Sequence, residues 1–202
     1  MQKFDLAADG LRQLNATLHS LKGKTNMTAW EIVNPKGAHA IAAGVDAPVE
    51  ITVRGSTGYY CAGMNKQATI RIKGSAGPGV AAFMASSLIL ESAKGSIGSS
   101  TQPVLVQLGD NDPLIARADG NIFITQLGND LAVDTLFSRA GIWLTAPGSI
   151  IDAFNTDDTN IRAQTLNLLA GGSLGSASNF LDIGLGPRLE SDTDDTGYLT
   201  AN

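Results

Sequence analysis

The stretch ITVRGSTG at residues 51–58 decides the fold, because it returns 19 residues later as IRIKGSAG at residues 70–77. In both copies, aliphatic residues alternate with polar ones and a glycine-containing turn follows. This pattern is typical of a short strand that buries one face. Self-similarity at about 20 residues indicates a solenoid, in which each coil covers the apolar side of the coil before it.

The second half of the chain repeats a different phrase. A strand, small residues, Gly-Ser and an aliphatic residue follow one another in LILESAKGSIGSS from Leu88, IWLTAPGSIID from Ile142 and LNLLAGGSLGSAS from Leu166. We expect the aliphatic residue after each Gly-Ser corner to be an equivalent inward position in the three coils. These residues are Ile97, Ile150 and Leu174.

Short apolar alternations predict strands along most of the chain, and no long helical pattern lies between them. The lack of helices excludes βαβ units, and a regular series of two-residue hairpin turns is missing as well. We therefore predict an all-β chain, a parallel β-helix of about eight coils. The predicted strands are Val49–Val53, Ile70–Ile72, Leu88–Leu90, Val104–Val106, Ile122–Ile124, Leu131–Val133, Ile142–Leu144, Leu166–Leu168 and Leu181–Ile183.

One amphipathic helix precedes the strands. Leucines recur on one helical face from Leu11 to Leu21, Asp9 can act as the N-cap, and Gly23 stands just past the end. The end of a solenoid exposes a sheet edge and part of the core. We therefore predict that this helix caps the first coil. His19 falls on the polar side and is expected to be solvated.

Composition narrows the function classes. The 202 residues carry a net charge of −5 and are 43% hydrophobic and 16% charged, which excludes a disordered chain and argues against nucleic acid as a partner. No apolar run is long enough for a membrane-spanning helix, and MQKFDLAADG at the N-terminus predicts no signal peptide in this chain. The single cysteine, Cys61, excludes an internal disulfide framework and is expected to be a small buried hydrophobe.

Glycine clusters predict solenoid corners rather than a phosphate-binding loop, because strands and not a helix follow them. Asp110, Asn111 and Asp112 resemble a calcium loop but lack its Gly and its bidentate Glu, and the acidic run ESDTDD at 190–195 predicts a solvated loop. The glycines are Gly55, Gly58, Gly63, Gly74, Gly77 and Gly79.

Catalysis by a β-helical polysaccharide lyase is the enzymatic alternative. That chemistry needs clustered carboxylates beside an Arg or Lys base, whereas Asp134 and Asp152 are isolated in the repeat and Arg139 and Arg162 have no evident partners. The sequence therefore predicts no catalytic, cofactor-binding or metal-binding residue. Trp143 alternates with two inward residues, so we expect it to face outward as a contact residue.

The chain changes in composition near residue 84. Ten of its fourteen Lys and Arg residues lie between the N-terminus and Lys94, whereas the rest is acidic and richer in Thr, Asn and Ser. The strand pattern continues through this change. We predict two segments of one solenoid, residues 1–83 with the helix and residues 84–202.

The first segment resembles a known family. GYYCAGMNKQATIRIKGSAGPGVA at 58–81 and NPKGAHAIAAGVDAPVEITVRG at 34–55 are similar to GXGXG-domain proteins. These are relatives of the C-terminal domain of the glutamate synthase large subunit, such as the methylamine–glutamate N-methyltransferase subunit. The resemblance covers about 80 residues and implies a right-handed β-helix whose first coil is capped by the leading helix.

The second segment resembles another class of protein. ADGNIFITQLGNDLAVDTLFSRAGIWLTAPGSIIDA at 118–153 and LNLLAGGSLGSASNFLDI at 166–183 are similar to repeats of filamentous-haemagglutinin-like adhesins. That resemblance also implies a right-handed β-helix, displayed on a bacterial surface. The two resemblances predict a GXGXG-type cap joined to an adhesin fragment, and a natural gene with this junction is the alternative.

Two functions remain open. The first is a non-catalytic adhesive segment, secreted or at the cell surface, that binds a host surface or carbohydrate through a face of the β-helix and is otherwise a monomer. The second is a non-catalytic cytoplasmic subunit of a glutamate-synthase-related amidotransferase or N-methyltransferase complex. Neither predicts a cofactor, a nucleic acid partner or membrane insertion.

Overall fold

A computed structural model describes residues 1–24, 26–74 and 87–186. Nearly all of its regular structure is strand. The elements in chain order are β1 (Gln2–Asp5), α1 (Leu6–Asp9), α2 (Leu11–His19), β2 (Thr28–Val33), β3 (Val49–Arg54), β4 (Thr69–Lys73), β5 (Leu88–Ser92), β6 (Val104–Val106), β7 (Leu114–Ala118), β8 (Ile122–Gln126), β9 (Leu131–Ser138), β10 (Gly141–Ala146), β11 (Ile150–Asp152), β12 (Ile161–Ala163), β13 (Thr165–Ala170) and β14 (Ile183–Leu185).

The strands form two parallel sheets on opposite walls of a solenoid. The large sheet has ten strands in the order β1-β2-β3-β4-β5-β7-β9-β12-β14, with β11 beside β9, and the small sheet has the order β13-β10-β8-β6. The predicted β-solenoid is confirmed, with about 7 turns instead of about eight. The difference arises because some coils are long: Leu88 pairs with Leu114, 26 residues later.

The repeat in the first half has the predicted register. Ile51 pairs with Ile70 and Val53 pairs with Ile72, so the two copies of the phrase lie in adjacent strands β3 and β4. All four side chains are at most 1% exposed. The stacking of identical inward residues on neighbouring coils builds a continuous aliphatic core.

The repeat in the second half is only partly right. Ile150 and Leu174 are bridged partners, as predicted, but Ile97 is bridged to Ile122 instead. The reason is that a Gly-Ser corner occurs at both ends of a coil. The phrase from Leu88 starts in the large sheet, whereas the phrases from Ile142 and Leu166 start in the small sheet, so the three corners are not equivalent.

The wall opposite the large sheet is built differently in the two halves. From β6 onward it is the small sheet, whereas in the first coils it consists of turns at residues 34–48 and 55–68. These turns repeat a left-handed backbone at every second residue, which only glycine adopts without cost. The positions are Ala40, Ala42 and Gly44 in one coil and Tyr60, Ala62 and Met64 in the next. The predicted segment boundary at residue 83 lies outside the described residues.

Helix α2 covers the turn of the first coil. Leu14 and Leu18 are completely buried beneath it. The side chain of Asn15 donates from Nδ2 to the carbonyl of Ala40 at 2.9 Å and accepts from the amide of Ala42 at 3.0 Å. Backbone groups that would face solvent at the end of the solenoid are therefore satisfied by the helix, as capping requires.

The N-terminal details differ from the predicted ones. A strand, β1, precedes the helices and pairs with β2, so the large sheet begins before the cap. Asp9 ends the short helix α1, and the residue before α2 is Gly10 with a φ of 81°, which has no side-chain cap. The side-chain N-cap is Asp5, which accepts a hydrogen bond from the amide of Ala7. Helix α2 ends at His19, and Gly23 follows a further turn.

Replacement of Asn15 by Ala is expected to lower the free energy of unfolding by about 1–3 kcal/mol. The change leaves the partly buried carbonyl of Ala40 and amide of Ala42 without their partner. Gln13→Ala, on the exposed side of α2, is the matched control and should cost less than about 0.5 kcal/mol. Urea denaturation of both variants measures the difference, and equal losses would mean that Asn15 does not hold the cap.

Within residues 1–24, 26–74 and 87–186, no helix has the length and apolar character needed to cross a membrane.

Candidate functional site

The outer face of the small sheet carries no charge. Strands β6, β8, β10 and β13 contain neither an acidic nor a basic residue. Ion pairs, by contrast, cross the outer face of the large sheet, where Glu31 contacts Arg54 and Lys73 lies 2.9 Å from Glu91. The hydrogen bond from Arg54 holds the pKa of Glu31 below its usual value. The solenoid therefore has one charged and one uncharged wall.

An aromatic pair stands at the middle of the uncharged wall. Trp143 faces outward, as predicted, between the buried Ile142 and Leu144. It stacks on Phe123 of the neighbouring strand β8, with ring centroids 4.5 Å apart and an angle of 13° between the planes. Gly141 makes room for the indole, because a Cβ at that position would lie 2.4 Å from two of its ring carbons.

Hydroxyl groups surround this aromatic pair. A cavity of about 350 Å³ lies beside it, and Thr125 and Thr145 are adjacent in register on its floor. An aromatic surface with hydroxyl groups at its edge suits an uncharged ligand or the uncharged surface of another protein. We call this the aromatic face, and its residues are Ser99, Ser100, Pro103, Phe123, Thr125, Trp143 and Thr145.

The histidines, Cys61 and the described corner glycines are structural. Cys61 is completely buried, and burial raises the pKa of its thiol to about 12, so it is not a nucleophile at neutral pH. The ring of His39 stacks on Tyr59, and a Cβ at Gly58 would lie 2.2 Å from His39 Nδ1. The imidazole of His19 lies 2.8 Å from the carbonyl of Ala43, so it contacts the first coil although it is exposed.

The acidic residues singled out in the sequence do not converge. Asp112 accepts a hydrogen bond from the amide of Gly109 and closes a turn. In the described part of the chain, no three His, Cys, Asp or Glu side chains come together as a metal site. The absence of a metal stays a prediction for the whole chain. Gly77, Gly79 and the run at 190–195 lie outside the described residues.

Asp152 is not isolated, contrary to the sequence-based prediction. It is 2% exposed, and its carboxylate accepts hydrogen bonds from the amides of Phe154 and Thr156 and from the side chain of Asn160. Burial, and then the charge of Asp152, raises the pKa of Asp182, whose amide donates to Asn160. These bonds anchor the excursion between β11 and β12, and the sequence gave no periodic signal for them.

Arg139 also has a partner that the sequence did not indicate. Its Nε lies 3.6 Å from a carboxylate oxygen of Asp119. Arg162 takes part in none of the ion pairs among the described residues, and its guanidinium lies 3.0 Å from the position that a Cβ on Gly184 would occupy. Neither arginine lies beside two carboxylates in the manner of a lyase site.

Comparison with known proteins gives one relative. The chain is 48% identical over 90 residues to Protein GlxC of Rhizobium meliloti strain 1021. The matched residues make up 45% of this chain and 40% of the relative, so the chain spans less than half of the relative's length. No family model matches the chain, and no solved structure matches it.

Proposed function

We propose that this chain is a non-catalytic β-solenoid scaffold that holds a partner subunit of a glutamate-synthase-related complex. The observation that carries the proposal is the 48% identity to GlxC over 90 residues, a length similar to that of the segment that resembles GXGXG-domain proteins. That family supplies β-helices that pack against catalytic partners. The catalytic residues of the complex then belong to the partner.

The aromatic face is where the partner binds in this proposal. A face without charge can be buried without leaving an unpaired ion, and aromatic residues are enriched at the centres of protein interfaces. Phe123 and Trp143 supply the central anchor, and exposed Leu169 on the next strand extends the apolar area. This arrangement fits a protein partner with an apolar centre and a polar rim.

The test is co-expression with the amidotransferase and flavin-dependent synthase subunits encoded beside this chain, followed by size-exclusion chromatography and titration of the purified complex. We expect a stable complex, and we expect Thr145→Arg to weaken it at least about tenfold by placing a charge in the interface. Thr135→Arg is the matched control, because it adds the same charge to the outer face of the large sheet. Failure of the subunits to co-elute, or equal weakening by both variants, would refute the proposal.

An adhesive segment is the second candidate function. It is supported by the hydroxyl groups of Thr125, Thr145 and Ser99 beside the stacked rings, because the C–H faces of a sugar pack on aromatic rings while hydroxyls exchange hydrogen bonds at the edge. The resemblance of residues 86–202 to adhesin repeats agrees with this use. The same face then binds a neutral glycan instead of a subunit.

A neutral glycan array separates the two candidates. The adhesive proposal expects binding that Trp143→Ala reduces at least about tenfold and that Thr135→Arg leaves unchanged. A very long open reading frame of similar repeats around the chain would agree with adhesion. Neighbouring genes for synthase subunits, together with no bound glycan, would favour the scaffold.

A further inference from the structure

A row of outward side chains crosses the large sheet at the same register, one residue per coil. Neighbouring residues of the row are directly paired across adjacent strands, which lie about 4.8 Å apart. In chain order the row is Arg54, Lys73, Glu91, Arg117, Phe137 and Arg162. Four of the six are cations, on a chain whose net charge is −5. Like charges on adjacent strands repel each other, so this row needs counter-charges.

A groove opens where the row meets the loops after β5, β7 and β9. Its volume is about 800 Å³, the size of a small-molecule site. Four cations and two carboxylates line it, and we call it the basic groove: Lys73, Lys94, Arg117 and Arg139 with Glu91 and Asp119.

The carboxylates of the basic groove are already engaged. Glu91 lies 2.9 Å from Lys73 and 3.8 Å from Arg71, so one carboxylate serves two cations. Asp119 lies 3.6 Å from Arg139. Among the described residues, no carboxylate lies within ion-pair distance of Lys94 or Arg117. Two positive charges therefore stand uncompensated at the lip and floor of one groove.

The groove also has an apolar wall. Phe137 lies beside Arg117 in register, and Ala93 and Ala118 complete that side. A ligand with an anionic group and an apolar body can satisfy the cations and the phenyl ring together. Arginine suits oxyanions because its planar guanidinium donates two parallel hydrogen bonds to phosphate or carboxylate.

We propose that the basic groove binds a small oxyanion, a phosphate ester or a carboxylate with an apolar substituent, held by Lys94 and Arg117 with the substituent against Phe137. This proposal is independent of what binds the aromatic face, which lies on the other wall of the solenoid. Arg139, held by Asp119, closes one end of the site. The groove thus assigns a role to cations that the scaffold function does not use.

Isothermal titration calorimetry of the full chain with phenyl phosphate, benzoate and inorganic phosphate tests this, at low ionic strength so that screening does not hide the interaction. We expect phenyl phosphate to bind more tightly than inorganic phosphate, because only the former contacts Phe137. Arg117→Gln and Lys94→Gln should each weaken binding about tenfold. Arg162→Gln is the matched control, since it removes the same charge from the same row outside the groove and should change binding less than about twofold.

The two organic ligands distinguish the source of the oxyanion. Tighter binding of phenyl phosphate assigns the groove to phosphate esters, and tighter binding of benzoate assigns it to carboxylates. Absence of heat with all three ligands at millimolar concentration would overturn the site. Equal weakening by Arg117→Gln and Arg162→Gln would overturn it as well, because it would mean diffuse attraction to the whole row.

Discussion

Replacement of Ile150 by Asp is expected to cost several kcal/mol of unfolding free energy or to prevent folding altogether. The side chain is completely buried between Leu131 of the preceding coil and Leu174 of the following one. A carboxylate there has no cation or donor to satisfy it, so it must either remain an unpaired charge or take up a proton. Chemical denaturation, or the soluble yield where the variant does not fold, measures the effect.

Two further variants keep this prediction open to refutation. Ile150→Ala should fold and lose about 2–5 kcal/mol, the usual cost of truncating a buried aliphatic side chain. Thr145→Asp, on the outer face of the small sheet, should lose less than about 0.5 kcal/mol. Equal and small losses at Ile150 and Thr145 would contradict the register of the solenoid.

Deletion of residues 1–22 is expected to make the chain associate while its β-sheet circular dichroism is retained. The deletion removes β1 and both helices, so β2 becomes an unprotected edge of the large sheet and the turn under Asn15 is uncovered. Unpaired backbone groups on a long edge are a template for another copy. Size-exclusion chromatography at several concentrations should show larger species than the full chain forms.

A charge on the new edge provides the control. Ala29→Lys in the shortened chain places an ammonium group on β2, which is one way in which natural sheets block edge-to-edge pairing. We expect this variant to associate less than the shortened chain. An unchanged elution volume after the deletion alone would show that the helices do not protect the solenoid end.

The alternation and period of the strands could be predicted from the sequence, because they are local properties. An aliphatic residue at every second position marks the inward face wherever a strand forms, and Ile51 and Ile70 are correctly paired on this basis. The outward position of Trp143 follows from the same rule. Strand β7 was missed because Ala116 and Ala118 give a weak apolar signal although both are buried.

Only the tertiary structure decided which sheet each strand joins and which polar groups meet. Coil lengths vary from 18 residues between Ile70 and Leu88 to 26 between Leu88 and Leu114, so equal phrases such as those before Ile97 and Ile150 end on different walls. The partners of Asn15 lie 25 and 27 residues away, and no sequence period announces them. The sequence by itself therefore determined the solenoid and its inward residues, since these depend on neighbours within a strand. The cap contacts, the aromatic pair and the basic groove depend on how unequal coils come into register.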